Sequence, residues 1–245
     1  MVETMISDAA APEGMRIYAI GDIHGRADLL NRLAQSMEDD LHEGDYSETC
    51  TVFLGDYVDR GLDSRGVIDR LARRDFPTPI VALRGNHEDV ILRYLADPAM
   101  LDQVAALGGL TTLASYGVDA GREMLRGGAP AVLAGFLTRF PDSHRRFLEE
   151  TAFSAAYGDY FFCHAGVRPH VPLDRQDPQD LMWIRYEFLN YRGPFDKVIV
   201  HGHTPHARVE NLPNRINLDT HAFKSGVLTA VVLEGKERRF IDTAP

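Results

Sequence analysis

Asp22 and His24 stand at the end of one apolar run, and Asp56 follows another, directly after Gly55. Asn86 and His87 close a third run, His164 a fourth, and His201 and His203 a fifth. Carboxylates and imidazoles together suit a borderline divalent ion, with manganese first and iron or zinc as alternatives. Magnesium and calcium sites use more oxygen and little histidine. The donors exceed the needs of one ion, which predicts two metals sharing a carboxylate, and Asp56 is central enough in chain order to be the shared ligand. A single Asp or His after a strand would mean little, since helix caps and core imidazoles account for most of them. Recurrence at successive strand ends is harder to dismiss. Composition alone leaves His201 and His203 as alternatives: either could ligate while the other orients a neighbour.

The elements that must position these groups are short apolar runs that stop at Gly, Asp, His or Asn. RIYAIGD (16–22), TVFLGD (51–56), PIVALRGN (79–86), YFFCHAG (160–166) and KVIVHGH (197–203) each read as a buried strand opening into a loop. Leu29, Leu30, Leu33, Met37 and Leu41 follow one helical face, and so do Val67, Ile68 and Leu71 after the capping candidates Asp63 and Ser64. Strand, loop, helix, strand is an α/β order, in which strand-end loops collect the chemistry. From Ile216 to Ile241, INLDT, GVLTAVVLE and RRFID read as a hairpin or meander, so mixed sheets are expected.

Between about 88 and 156 the pattern turns helical: a helix from Val90, another over Val104–Tyr116, and short ones over Leu133–Phe140 and Arg145–Glu149. No linker brackets this stretch, so it reads as an insertion within a single domain spanning 15–245, after a loose tail over 1–14. Gly108-Gly109 reads as a helix interruption or a close approach to the pocket. Tyr116, Met124, Phe136 and Phe140 read as either cleft lining or helical core. His42 and His144 read as solvated helix positions, His170 and His206 as loop residues.

Composition bounds the partners. The 245 residues carry 26 Lys and Arg against 36 Asp and Glu, a net charge of −10. That balance argues against nucleic acid or an anionic membrane surface as a partner, because both need a basic face. A small anionic substrate held by a few local arginines remains compatible with it. The acidic first stretch lacks a signal-peptide pattern, and the apolar runs fall well short of the roughly 20 residues that span a bilayer. Cys50 and Cys163 both lie in apolar runs, and reduced, buried thiols point to a cytoplasmic location. Oligomeric state is not legible.

GDIHG (21–25), GDYVDRG (55–61), GNHE (85–88), HAG (164–166) and HGHTP (201–205) resemble, in order, the signatures of the metal-dependent phosphoprotein phosphatases, within the wider calcineurin-like metallophosphoesterases. GGLTTLASYG (108–117), HAGVRPHVPLDRQ (164–176) and DLMWIRYEF (180–188) are similar to the compact bacterial serine/threonine phosphatase branch. The resemblance implies a four-layer α-β-β-α sandwich with mixed sheets. It implies Asp22, His24 and Asp56 on one metal and Asp56, Asn86, His164 and His203 on the other. His87 would be the general acid, oriented by Asp59, with Arg60 and Arg185 gripping phosphate oxygens. An arginine after a tryptophan can also merely pack its stem, so Arg185 carries two readings.

The implied activity is hydrolysis of phosphoserine or phosphothreonine in proteins, by direct attack of metal-activated hydroxide. Hydrolysis of dinucleoside polyphosphates or another small phosphoester is the alternative, and a catalytically silent phosphoprotein-binding module is a further one. One departure stands out: Asp219-Thr220-His221 replaces the Asp-Thr-Gly usual in the related bacterial sequences.

Overall fold

A computed structural model of the chain describes residues 8–44 and 46–244. Its first sheet runs in the order β10-β9-β1-β2-β3, with β1 (Met15–Ile20), β2 (Glu48–Phe53) and β3 (Ile80–Ala82) parallel. β9 (Thr229–Glu234) lies antiparallel to β1, and β10 (Glu237–Asp242) antiparallel to β9. The second sheet, β4-β5-β6-β8-β7, is also mixed. It comprises β4 (Ser154–Tyr157), β5 (Tyr160–Cys163), β6 (Val198–His201), β7 (Glu210–Asn211) and β8 (Arg215–Asn217).

Side-chain alternation along these strands builds the layers. Ile17, Ala19, Val52 and Leu54 pack between the sheets against Tyr160, Phe162, Val198 and Val200. Their neighbours Tyr18, Ile20 and Phe53 face outward onto helices α1 (Ala27–Asp40), α2 (Ser64–Ala72) and α3 (Asn86–Tyr94). On the far side Phe161, Cys163 and Ile199 meet Leu181, Ile184 and Phe188 around α8 (Pro178–Trp183) and α9 (Tyr186–Leu189). Helices, sheet, sheet, helices is the four-layer α/β sandwich with mixed sheets. Because both faces of each central strand are covered, the strands read as unbroken apolar runs.

Several expectations need correction. Ala9 and Ala11 are buried in the inter-sheet core, and Ala11 N–H bonds Gly235 O at 2.8 Å, so residues 8–14 are not a loose tail. The first seven residues lie outside the described ones. Val104–Tyr116 is not one helix but α4 (Leu101–Ala106) and α5 (Leu110–Ser115), broken at the glycine pair. Leu133–Phe140 belongs largely to the longer α6 (Ala120–Leu137), followed by α7 (Asp142–Glu149). The 88–156 stretch ends in β4 rather than in helix. Of the hairpin and the meander open for Ile216–Ile241, the structure has a β9–β10 hairpin, since β8 pairs with β6 in the other sheet. His144 is buried, with Nδ1 2.8 Å from the Tyr116 hydroxyl. Tyr116, Phe136 and Phe140 pack together in the helical core, whereas Met124 is exposed.

The edge of the first sheet is tied down by charge. Asp40, at the end of α1, accepts the Tyr18 hydroxyl at 2.6 Å and Arg239 Nη2 at 2.7 Å, and it pairs with Arg16. Burial raises this carboxyl, but Arg239, Tyr18 and Arg16 outweigh it and hold its pKa below the ordinary 3.8. A depressed folded pKa means stabilisation that is present above the unfolded value and lost as pH falls through the folded one. Asp40→Asn is therefore expected to cost about 2 kcal/mol at pH 7. Urea unfolding of both proteins should show the gap closing below pH 4, and a gap independent of pH would refute the charge argument.

Candidate metal centre

The loops after β1, β2, β3, β5 and β6 converge at one end of the two sheets. Backbone strain is concentrated there: His24, Asp56, Asp59, Arg60, His203 and His221 all have positive φ, between 45° and 71°. Each such residue costs on the order of 1 kcal/mol or more and persists only where its surroundings fix it. The Gly55 and Gly85 loops touch so closely that a Cβ on Gly55 would stand 2.5 Å from Gly85 N. Glu88 holds this junction together. Its buried carboxylate accepts the N–H groups of Gly85, Asp56 and Tyr57 at 2.8–2.9 Å. Sequence reading assigned Glu88 no role, although its place three residues after the α3 cap is the capping-box position.

Backbone carbonyls aim the histidines. His24 Nδ1 bonds Val58 O at 2.8 Å and His164 Nδ1 bonds Leu54 O at 2.9 Å, so both rings present Nε2 inward. His164 Nε2 stands 3.0 Å from Asn86 Oδ1, 3.1 Å from His203 Nδ1 and 3.4 Å from Asp56 Oδ1. On the other side of the same carboxylate, Asp56 Oδ2 is 3.5 Å from His24 Nε2 and 3.6 Å from His87 Nε2. Two compact donor groups result, His24–Asp56–His87 and Asp56–His164–His203, and they share Asp56.

These residues fit a pair of divalent cations on several grounds. His24 Nε2 is buried without a hydrogen-bond partner. Burial pushes the pKa values of His24 and His164 down and takes His203 to about 2, so the imidazoles are neutral and each has one lone pair that a cation could take. The one on His203 is free once Arg185 Nε turns away from its ring. Burial, then Asp219 and Asp56, pushes the Asp22 carboxyl up, and burial does the same to Asp219. Crowded carboxylates beside neutral imidazoles are relieved by cations.

Other expected residues lie around this core. Asp22 accepts His203 N–H at 3.1–3.2 Å but falls in neither compact group. His201 is turned away: its Nδ1 bonds Gly202 O at 3.0 Å and its ring packs edgewise on Phe188. Of the two alternatives, His203 stands with the cluster. His87 Nδ1 bonds Asp59 Oδ2 at 2.6 Å, and Arg60 Nη2 is 3.3 Å from His87 Nε2. Burial alone would lower the His87 pKa, but Asp56 and Asp59 reverse that and raise it. Arg185 is exposed, and its Nε donates to His203 Nε2 at 3.0 Å. The two arginines thus reach the cluster from different histidines.

Phe223 also belongs to the rim. Its ring lies 5.7 Å from that of His24 and 5.1 Å from the Arg60 guanidinium. His221, 4.7 Å from Phe223, takes the left-handed angle that the usual glycine adopts without strain.

A sequence profile of the family described as calcineurin-like phosphoesterase matches residues 15–232. The chain belongs to this family. Among relatives of this phosphoesterase, the asymmetrical bis(5'-nucleosyl)-tetraphosphatase PrpE of Oceanobacillus iheyensis is 25% identical over 243 residues, covering 91% of this chain and 90% of the relative. The enzyme of the same name from Halalkalibacterium halodurans is 26% identical over 239 residues, covering 89% of each. A solved structure described as a candidate diadenosine tetraphosphatase superposes with a TM-score of 0.65 at 21% identity, over 96% of both chains. A serine/threonine phosphatase from Saccharomyces cerevisiae superposes at 0.57 with 13% identity, over 99% of this chain and 86% of the other. The two structural likenesses speak to the fold alone. No helix among the described residues is long and apolar enough to cross a membrane.

Proposed function

We propose that this phosphoesterase hydrolyses dinucleoside polyphosphates, cutting a tetraphosphate bridge into unequal halves. The observation that carries the reading is the near end-to-end match to relatives named asymmetrical bis(5'-nucleosyl)-tetraphosphatases. It displaces the phosphoprotein substrate that the sequence motifs suggested first. The site chemistry is compatible with it. A polyphosphate bridge carries charge on successive phosphates, and Arg60 and Arg185 offer planar, bidentate forks on two sides of one cluster.

In this reading Asp22, His24, Asp56, Asn86, His164 and His203 hold two divalent cations, manganese first and iron or zinc as alternatives. When bound, the cations neutralise phosphoryl oxygens and lower the pKa of the attacking water. Arg60 and Arg185 bind the non-bridging oxygens, where charge concentrates in the transition state. His87 delivers a proton from Nε2 to the leaving oxygen, and Asp59 on Nδ1 keeps the ring aligned. Nε2 cannot both carry that proton and accept from Arg60. The guanidinium must therefore turn to the phosphoryl oxygens when the acid is charged. Buried, unpaired Cys50 and Cys163 support a reducing, cytoplasmic setting for the reaction.

A substrate panel with manganese tests the proposal. Diadenosine tetraphosphate should exceed phosphoserine and phosphothreonine peptides in kcat/KM by about tenfold or more, a difference of roughly 1.4 kcal/mol in transition-state binding. Higher kcat/KM on the peptides would return the substrate class to phosphoproteins. Metal binding with no turnover of any phosphoester would leave only the silent module.

A further inference from the structure

The helical stretch between β3 and β4 contributes more than core to this site. Its corner between α4 and α5 packs directly against the Asp59-Arg60 pair. Arg60 N–H bonds Gly108 O at 3.1 Å, and a Cβ on Gly108 would meet Arg60 Cγ at 3.2 Å. A Cβ on Gly109 would meet Asp59 Oδ1 at 3.0 Å. Three residues further on, Thr112 is fully buried and reaches Asp59 directly.

Proton accounting fixes the direction of every bond in this small network. The Thr112 hydroxyl is 2.6 Å from Asp59 Oδ1, and an ionised carboxylate only accepts, so the threonine proton goes there. The Thr112 oxygen accepts Asp59 N–H at 2.9 Å. Its remaining contact, 3.0 Å to Ser64 Oγ, must then be donated by the serine. Ser64 Oγ in turn stands 3.1 Å from Asp59 N. With Oδ1 occupied in this way, Oδ2 is the oxygen left for His87 Nδ1 at 2.6 Å. Donation runs from Ser64 to Thr112 to the Asp59 carboxylate, which also accepts the His87 N–H. Asp59 itself has φ of 71°, a conformation its neighbours have to hold in place.

We propose that Thr112, supported by Ser64, is a positioning residue that locks the Asp59 carboxylate and thereby points His87 Nε2 at the leaving-group oxygen. This assigns the α4–α5 corner a task in the reaction, and it rests on the reading of His87 and Asp59 as the acid pair. Thr112 touches no substrate atom. Removing its hydroxyl leaves Oδ1 unpaired in a buried place, free to rotate toward whatever donor it finds. The hydroxyl bonds only Asp59 and Ser64, neither of which is among the residues proposed to hold a cation.

The experiment compares aryl phosphates with poor and good leaving groups, phenyl and 2,4-dinitrophenyl phosphate, on manganese-loaded enzyme. Proton delivery matters for the first and little for the second. Thr112→Val is expected to lose about 10–100-fold in kcat/KM on phenyl phosphate and less than about threefold on dinitrophenyl phosphate. Thr112→Ser, which keeps the donor, should remain within about threefold of wild type on both. A purely structural role would lower both substrates together.

His87→Asn, run alongside, separates the two levels of the argument. If it loses activity selectively on phenyl phosphate while Thr112→Val does not, the positioning role is overturned and the acid pair stands. If His87→Asn itself shows no leaving-group selectivity, the acid pair falls and this inference with it. Should Thr112→Val fail to fold, Ser64→Ala removes the donor to Thr112 and one of the two acceptors of Asp59 N–H, while leaving the Thr112 bond to Asp59 Oδ1 in place. It is expected to show the same selectivity at about threefold, and uniform behaviour there would also overturn the proposal.

Discussion

Asp56→Asn is expected to abolish binding of both metals and to lower kcat/KM on any phosphoester by about 10³-fold or more. The substitution is nearly isosteric, yet it removes the only carboxylate common to both compact donor groups. A neutral amide offers one oxygen, whereas Asp56 turns Oδ1 to His164 and Oδ2 to His24. In the metal-free protein two effects oppose each other. Burial raises the Asp56 carboxyl, but His164, His87, His24 and His203 outweigh it and hold its pKa below the ordinary carboxylate value, so the neutral amide loses those attractions. Against that, Asp22 loses a like-charged neighbour that helps push its pKa up, and so does Asp219. The variant's Tm is therefore expected within about 4 °C of wild type without metal, which corresponds to roughly 1 kcal/mol for a chain of this size. Added manganese should raise Tm in the wild type by mass action and leave the variant unmoved. Metal analysis beside thermal unfolding decides it. A variant that still binds two ions would show that Asp56 is not the shared ligand.

That combination of strain and charge explains what the sequence could and could not disclose. The strands were legible because they are covered on both faces, and burial writes itself as unbroken apolar runs such as YAI in β1 and VIV in β6. The donors were legible because they follow those runs directly. Sheet membership was not: β8 and β9 are neighbours in sequence, and nothing in their composition says that the chain crosses from one sheet to the other between them. His144 was misread because one histidine on a helix looks the same whether it faces water or the Tyr116 hydroxyl. Thr112 falls within GGLTTLASYG (108–117), yet nothing in that stretch disclosed its role, for a similar reason. A threonine in a short helix is ordinary, and its value comes from a backbone turn at Asp59 whose positive φ no residue type announces.

His87→Asn is expected to keep both metals and to lower kcat by about 10²–10⁴-fold on substrates with poor leaving groups. The geometry makes this a demanding test, because His87 has two descriptions. Its Nε2 lies 3.6 Å from Asp56 Oδ2, close enough to join His24 and Asp56 as a donor. Its Nδ1 is spent on Asp59, which favours a charged ring, and its pKa is raised where those of His24, His164 and His203 are lowered. A ligand must be neutral and an acid must be protonated, so the opposite directions separate His87 from its neighbours. Leaving-group basicity also ties this result to the substrate class. The leaving group from a tetraphosphate bridge is a phosphate oxygen, a far weaker base than a serine alkoxide. The same variant should therefore lose less on diadenosine tetraphosphate than on phenyl phosphate. Loss of one metal from His87→Asn would make it a ligand instead, and the acid would then have to be sought among the remaining groups that face Arg60.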